Sequence, residues 1–214
     1  MIERTLQSGQ IRVSASGLAR IVIDDKYLLV LNKARLKSGK QVYTPFGGVI
    51  RFYDASCLNV LDMNFEKPAE LRFSFNEQNL WSFYVWFSQR RGRETSVMRE
   101  LCEELVFEEG VFRDLPLQAI SENYIGTVTE RAATDRPNAS GKLTQRFYDV
   151  YDISFSRKYQ EIILGYAENN SSIALLTEQN IRDGKSAHGT EIGTNSLALL
   201  KPCLSSEFYV SRAG

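Results

Sequence analysis

The run Arg99-Glu100-Leu101-Cys102-Glu103-Glu104-Leu105 constrains this chain more than any other stretch. Wound as a helix at about 100° per residue, it puts Glu100, Glu103 and Glu104 within one arc of about 100°. Met98, Leu101, Cys102 and Leu105 gather on roughly the opposite side. One face is therefore built to pack on a sheet, while the other collects three carboxylates. Like charges three and four residues apart repel and weaken an isolated helix. Two outcomes resolve that repulsion. Water can solvate an acidic face, or a divalent cation can be held there. Mg²⁺ suits the second, because it takes a few carboxylate oxygens and completes its shell with water and substrate phosphates.

The rest of the chain supplies the sheet such a helix needs. Residues 19–31 read as two strands around an Asp24-Asp25-Lys26 turn, with aliphatic and β-branched runs on either side. Residues 42–49 read as a strand entering a glycine turn at Gly47-Gly48, where a side chain would block the backbone path or a close ligand approach. Residues 71–75 alternate like a half-buried strand. Residues 81–87 are open to either a strand or a helix. Residues 96–109 read as the acidic helix, and 145–155 as a strand rich in Phe, Tyr and Val. The polar stretch 130–143 has loop composition. Residues 173–176 read as a short strand before a helix start at Thr177-Glu178. Thr194-Asn195-Ser196 is placed to cap a last helix over 197–200. Strands and helices mix without regular βαβ alternation, which predicts an α+β class with helices packed on a mixed sheet.

Composition excludes several functions. The 26 basic and 26 acidic side chains cancel, which argues against general DNA or RNA binding, where a basic excess displaces counterions. A single nucleotide needs only a few local charges and stays allowed. One histidine, His188, excludes a multi-histidine zinc site. Cys57, Cys102 and Cys203 form neither a disulfide framework nor a zinc pattern, and an odd count fits a reducing, cytoplasmic setting. No apolar run approaches the ~18 residues of a membrane span. The opening Met1-Ile2-Glu3-Arg4 is not expected to be a secretory leader.

The string Arg-Glu-Leu-x-Glu-Glu at 99–104 resembles the core of the Nudix box, GX5EX7REUXEEXGU with U aliphatic. The strand-turn-strand of 19–31 followed by Pro45-Phe46-Gly47-Gly48 resembles the approach to that box. Two positions depart from it. Arg91 stands where the box has its early glutamate, with Glu94 nearby and out of register. Val106 stands where the box has a glycine, and Gly110 comes later. The segment of about 50–92 is also longer than in ordinary Nudix enzymes and reads as an aromatic-rich insertion between the glycine turn and the box helix. It holds ten of the 24 aromatic residues, both tryptophans included. The phrases Tyr-Thr-Pro-Phe-Gly-Gly (43–48), Leu-Arg-Phe (71–73), Arg93-Glu94, Arg-Glu-Leu-x-Glu-Glu-Leu-Val (99–106) and Asn195-Ser196-Leu197-x-Leu199-Leu200 resemble a narrower group. That group is the SMODS-associated NUDIX domain, and the likeness spans roughly 15–200.

This resemblance implies a single Nudix-type domain over 1–214, a mixed sheet packed between helices. It implies that Arg99 braces the glutamates and that Glu100, Glu103 and Glu104 hold Mg²⁺ or Mn²⁺, with Arg99, Glu103 and Glu104 as catalytic residues. Gly47 and Gly48 would let the backbone approach a substrate, and Arg91 and Arg93 would contact its phosphates. The implied activity is metal-dependent hydrolysis of a nucleoside diphosphate derivative in bacterial anti-phage defence. The alternative is a non-hydrolytic sensor of a cyclic or linear oligonucleotide second messenger. The expected partners are a nucleotide or oligonucleotide ligand, a second copy in a homodimer, and a functionally linked nucleotidyltransferase.

Other residues have two readings. Arg90, Arg91 and Arg93 suit phosphate contact or a solvated turn, and Arg51 and Arg72 are further cationic candidates. Phe73, Phe75, Trp81, Tyr84 and Trp86 suit base stacking or a small core. Tyr148, Tyr151 and Cys102 read as packing residues, and His188 as an exposed loop residue. Glu122 and Glu130 are both available as a general base, with nothing to choose between them.

Overall fold

The computed structural model describes residues 9–54, 61–134 and 141–200. Cys57, Cys203 and part of the 130–143 loop lie outside the described residues. Strand β1 (Gln10–Ile23) is the axis of the molecule. Along one edge it runs parallel to β8 (Leu143–Phe155), which pairs antiparallel with β7 (Ile120–Ala133). Along its other edge β1 takes three antiparallel partners in turn. These are β6 (Arg72–Asn76), β4 (Gly47–Val49) and β2 (Lys26–Leu31). β3 (Val42–Thr44) and β9 (Ile173–Leu176) pair with β2, β10 (Glu191–Ile192) with β3, and β5 (Asn64–Phe65) with β6.

The β1–β2 hairpin shows local sequence acting directly. Asp24 and Asp25 have φ of 47° and 59°, with Ile23 opposite Lys26. Two consecutive left-handed residues match the right-handed twist of the flanking strands. The glycine pair behaves differently from expectation. Gly47 and Gly48 lie inside β4 rather than in a turn. Gly47 has φ of 139°, and a Cβ there would overlap the Gly17 carbonyl on β1. The glycine is needed because another strand comes close.

Alternation along the central strands buries both faces of the sheet. Ala19, Ile21, Ile23, Tyr151 and Ile153 pack on one side with Leu101 and Leu105 and with Ile163 of α4 (Arg157–Asn169). Leu18, Leu29 and Val150 pack on the other with Ile181 of α5 (Glu178–Asp183) and Leu199. The mixed sheet thus sits between helices. Thr177 opens α5 with a reciprocal capping box to Asn180. The segment Thr194–Leu200 is a 3₁₀-helix that includes Thr194 rather than following it. A short α1 (Lys33–Leu36) follows β2, capped by Asn32.

The aromatic segment adopts helix over 81–87, inside α2 (Leu80–Ser88). Phe73, Phe75, Phe83, Trp86 and Phe87 bury themselves against Ile11, Val13 and Phe147 as a further core. The packing reading therefore holds for most of the aromatic set. Trp81 is 63% exposed and stacks on Tyr84, so it stands apart from that core. Among the described residues no helix is long and apolar enough to cross a membrane.

Candidate functional site

The acidic helix starts where the sheet tells it to. Val97, at its N-cap, has no capping side chain of its own. Glu122 on β7 supplies one, accepting from the Val97 N–H at 2.7 Å and from the Ser96 hydroxyl at 2.8 Å. Glu122 is thus a cap from a distant strand. Ordinary α-helix, α3 (Met98–Leu101), lasts one turn. It continues as a π-helical turn over Cys102–Glu108, with the Glu109 N–H donating to the Glu104 carbonyl at 2.8 Å. Gly110, at φ 67°, lets the chain leave in the left-handed conformation. That exit comes later than the box glycine would allow. Leu101 and Leu105 are fully buried and Met98 packs partly, so the apolar side lies on the sheet as the residue pattern requires.

On the opposite side Arg99 gathers carboxylates. Its Nε and Nη2 donate to the two Glu94 oxygens at 2.8 and 2.9 Å. The guanidinium also reaches Glu103 at 3.2 Å, Glu100 at 2.6 Å and the Val49 carbonyl at 3.1 Å. Glu94 therefore joins the box from its shifted register. Left-handed residues Arg90 (φ 54°) and Gly92 (φ 67°) fold the preceding chain. A bridge between Phe52 and Arg93, with the Glu94 N–H donating to the Arg51 carbonyl, then sets Glu94 beside Arg99. The hydrogen bonds that the guanidinium donates to Glu94 raise its pKa and hold it charged.

Glu100 lies flat against Gly48, where any Cβ would overlap its carboxyl group. Burial raises the Glu100 pKa, Arg99 opposes that rise, and Glu103 adds to it. Glu104 accepts from the Gly47 N–H at 2.8 Å. Burial pushes its carboxyl up to about 8 despite that hydrogen bond, and the charges of Glu100, Glu108 and Glu109 push the same way.

A cavity of about 280 Å³ opens beside Glu104. Glu104, Glu108, Gly47 and Gly48 line one part, and Lys33, Asn32, Arg72, Tyr148 and Asn195 line others. The structure brings Gly47, Gly48 and Glu104 together at this cavity and sets Arg99, Glu100 and Glu103 behind it. It does not bring the arginines of the preceding turn there. Arg93 is buried, with its guanidinium on Asp149 at 2.8 Å, on the Phe87 carbonyl and over the Phe87 ring. Arg91 is exposed and is not among the cavity-lining residues. Arg90 lies over the Tyr124 ring at 3.5 Å and reaches Asp149. Tyr151 is buried in the core, while Tyr148 is both packed and cavity-lining. Glu130 accepts from Arg146 and from the Tyr148 hydroxyl. His188 is exposed, as its loop composition predicts.

The oxygen-only donor set of Glu100, Glu103 and Glu104 matches the chemistry of a hard divalent cation. Among the described residues, however, no three His, Cys, Asp or Glu side chains converge as a preformed metal cage. Arg99 draws Glu100 and Glu103 toward itself. Mg²⁺ does not require such a cage, since one or two carboxylates with substrate phosphates suffice. Glu104, its pKa raised by burial and then by its acidic neighbours, lines the cavity and is the donor best placed to gain from a cation.

Sequence reasoning missed Lys33 and Asn32. The only local signal was an asparagine directly after a strand, which reads as a helix cap.

A family model described as the SMODS-associated NUDIX domain matches residues 10–200. No curated protein and no solved structure matches the chain.

Proposed function

The chain belongs to the SMODS-associated NUDIX domain family, and from that membership we propose that it hydrolyses a nucleoside diphosphate derivative with a divalent metal. The observation that carries the reading is Glu104, fixed by the Gly47 N–H at the wall of the cavity, next to Glu100 and Glu108. Glu100, Glu103 and Glu104 would hold Mg²⁺ or Mn²⁺. The bound ion would polarise a phosphoryl oxygen and lower the pKa of water. Arg99 positions the carboxylates from behind. Gly48 leaves room for Glu100, and Gly47 orients Glu104. Lysine and arginine on the cavity lining offset the charge of an anionic substrate. In this reading the activity serves bacterial anti-phage signalling, with residues 1–214 as one cytoplasmic domain linked in function to a nucleotidyltransferase.

A second reading is a sensor that binds a nucleotide signal without turnover, alone or as a homodimer. It is favoured by the way Arg99 already neutralises Glu94, Glu100 and Glu103. One assay separates the two. Purified protein is incubated with Mg²⁺ or Mn²⁺ and a panel of nucleoside triphosphates, dinucleotides, NAD and cyclic oligonucleotides. Metal-dependent product, reduced by about 100-fold or more in Glu104→Gln, is expected for the hydrolase. Unchanged turnover in that variant would defeat the assignment of Glu104. A melting shift with one nucleotide and no product would select the sensor.

A further inference from the structure

The cavity has an electrostatic problem that its glycines do not solve. Glu104 and Glu108 lie on its wall and repel any phosphate. The Gly47 N–H, a natural phosphate donor, is already occupied by Glu104. Arg91 and Arg93, the cations suggested by the sequence, are absent from the lining. Among the described residues the two cations on the lining are Lys33 and Arg72, and Lys33 contacts the acidic wall itself. Its ammonium lies 3.1 Å from both Glu108 and Glu109.

We propose that Lys33 is the phosphate-contacting residue of this cavity, held ready on Glu108 and Glu109 and transferred to the ligand's diphosphate on binding. The proposal deepens the functional reading above, because it assigns the anionic part of the ligand within that cavity. Lys33 suits the role for three reasons. An ammonium has three donors, of which two reach carboxylates here, so a phosphate oxygen can be added before a carboxylate is released. Lys33 and Glu108 are both nearly half exposed, at 43% and 48%. That exposed pair is weak and exchanges readily, while Glu109, only 4% exposed, holds the other side of the ammonium. Finally, the flexible lysine stem lets the charge move where a planar guanidinium locked by bidentate contacts, such as Arg99, cannot. Release of Glu108 also leaves that carboxylate available to a divalent cation arriving with the ligand.

The test is calorimetric binding of two probes, inorganic pyrophosphate and adenosine, at fixed Mg²⁺. Lys33→Met is expected to weaken pyrophosphate binding by about tenfold or more. Lys33→Arg, which keeps the charge, should recover most of that loss. Glu108→Gln removes the exposed competitor and should tighten pyrophosphate binding by about threefold. Adenosine binding should be the same in all four proteins. Equal pyrophosphate affinity in wild type and Lys33→Met would overturn the proposal, and so would a wild type that binds neither probe. Weaker binding of adenosine and pyrophosphate alike would also overturn it, because that pattern reports a deformed cavity. The hydrolase reading fails separately. Absence of product with Lys33-dependent pyrophosphate binding would sink hydrolysis and leave Lys33 standing. Turnover with Lys33-independent binding would do the reverse.

Discussion

Two cations meet the carboxylates of the π-helical turn and its approach, and they do so in opposite ways. Arg99 sits on the same helix as Glu100 and Glu103, and its guanidinium closes on Glu94 through two parallel bonds. Lys33 comes from a separate segment after β2 and meets Glu108 and Glu109 near the end of the turn. The first cluster is short-range, forked and mostly shielded. The second is long-range and single-pointed, with Lys33 and Glu108 nearly half in water and Glu109 shielded. A forked guanidinium among shielded carboxylates is a brace, whereas an ammonium facing solvent is an exchangeable counterion. Glu104 lies between the two, bound to neither cation in the hydrogen-bond network and tied instead to the Gly47 backbone.

That contrast can be broken by experiment. The largest effect of a substitution is expected at Arg99. Arg99→Met leaves Glu94, Glu100 and Glu103 facing one another without a counterion and should cost about 3 kcal/mol in urea unfolding. Arg99→Lys should restore only part of it, because one ammonium cannot fork to Glu94 and still reach Glu103. Full recovery by lysine would remove the distinction between the clusters.

Gly48→Ala comes next. The added methyl must displace the Glu100 carboxyl from its place against β4, at about 2 kcal/mol of overpacking. A thermal melt within a degree of wild type would show that Glu100 moves freely and that the Arg99 cluster is looser than its bonds indicate.

Glu104 sharpens the comparison through pH. Its folded pKa of about 8 lies above the ordinary 4.5. The folded state therefore holds this proton more tightly than the unfolded state. The resulting stability is complete below about pH 4.5 and is lost as pH rises through about 8, by on the order of 5 kcal/mol. In EDTA the urea midpoint should fall over that window, and Glu104→Gln should flatten the fall. Mg²⁺ should flatten it too, by favouring the ionised carboxylate. A wild-type midpoint independent of pH would show that Glu104 is solvated.

Lys33→Met is expected to cost least, about 1 kcal/mol, with the cost shrinking at high salt. The Arg99→Met cost should keep most of its size there. Equal salt sensitivity in the two variants would place both clusters in the same environment.

Several features follow from short stretches of chain. The Asp24-Asp25 hairpin, the amphipathic run at 98–105 and the Thr177 cap are legible because neighbours in sequence supply both partners. The helix of 157–169 is legible as well, through Tyr159, Ile163 and Tyr166 at helical spacing. The first strand begins at Gln10 rather than Ala19, and its added part alternates apolar Ile11, Val13 and Ala15 with Arg12, Ser14 and Ser16, an ordinary strand pattern. Arg12 is buried there on Glu66, a partner 54 residues away.

The sequence alone determined the chemistry available: an arginine and three glutamates at fixed helical spacing, a glycine pair upstream, and no basic excess. It determined the class as well, since alternating strands and one amphipathic helix require a sheet covered on its faces. Tertiary structure decided which of those groups share a site. Glu94 joins Arg99 although its linear spacing is wrong, because two left-handed residues fold the preceding turn and a bridge to β4's outgoing chain completes the placement. Glu122 becomes a helix cap, Arg93 becomes a core residue, and Lys33 arrives at a carboxylate pair 75 residues downstream. The physical reason is the same in each case. Charge interactions depend on distance and burial, and neither is set until strands distant in sequence have paired.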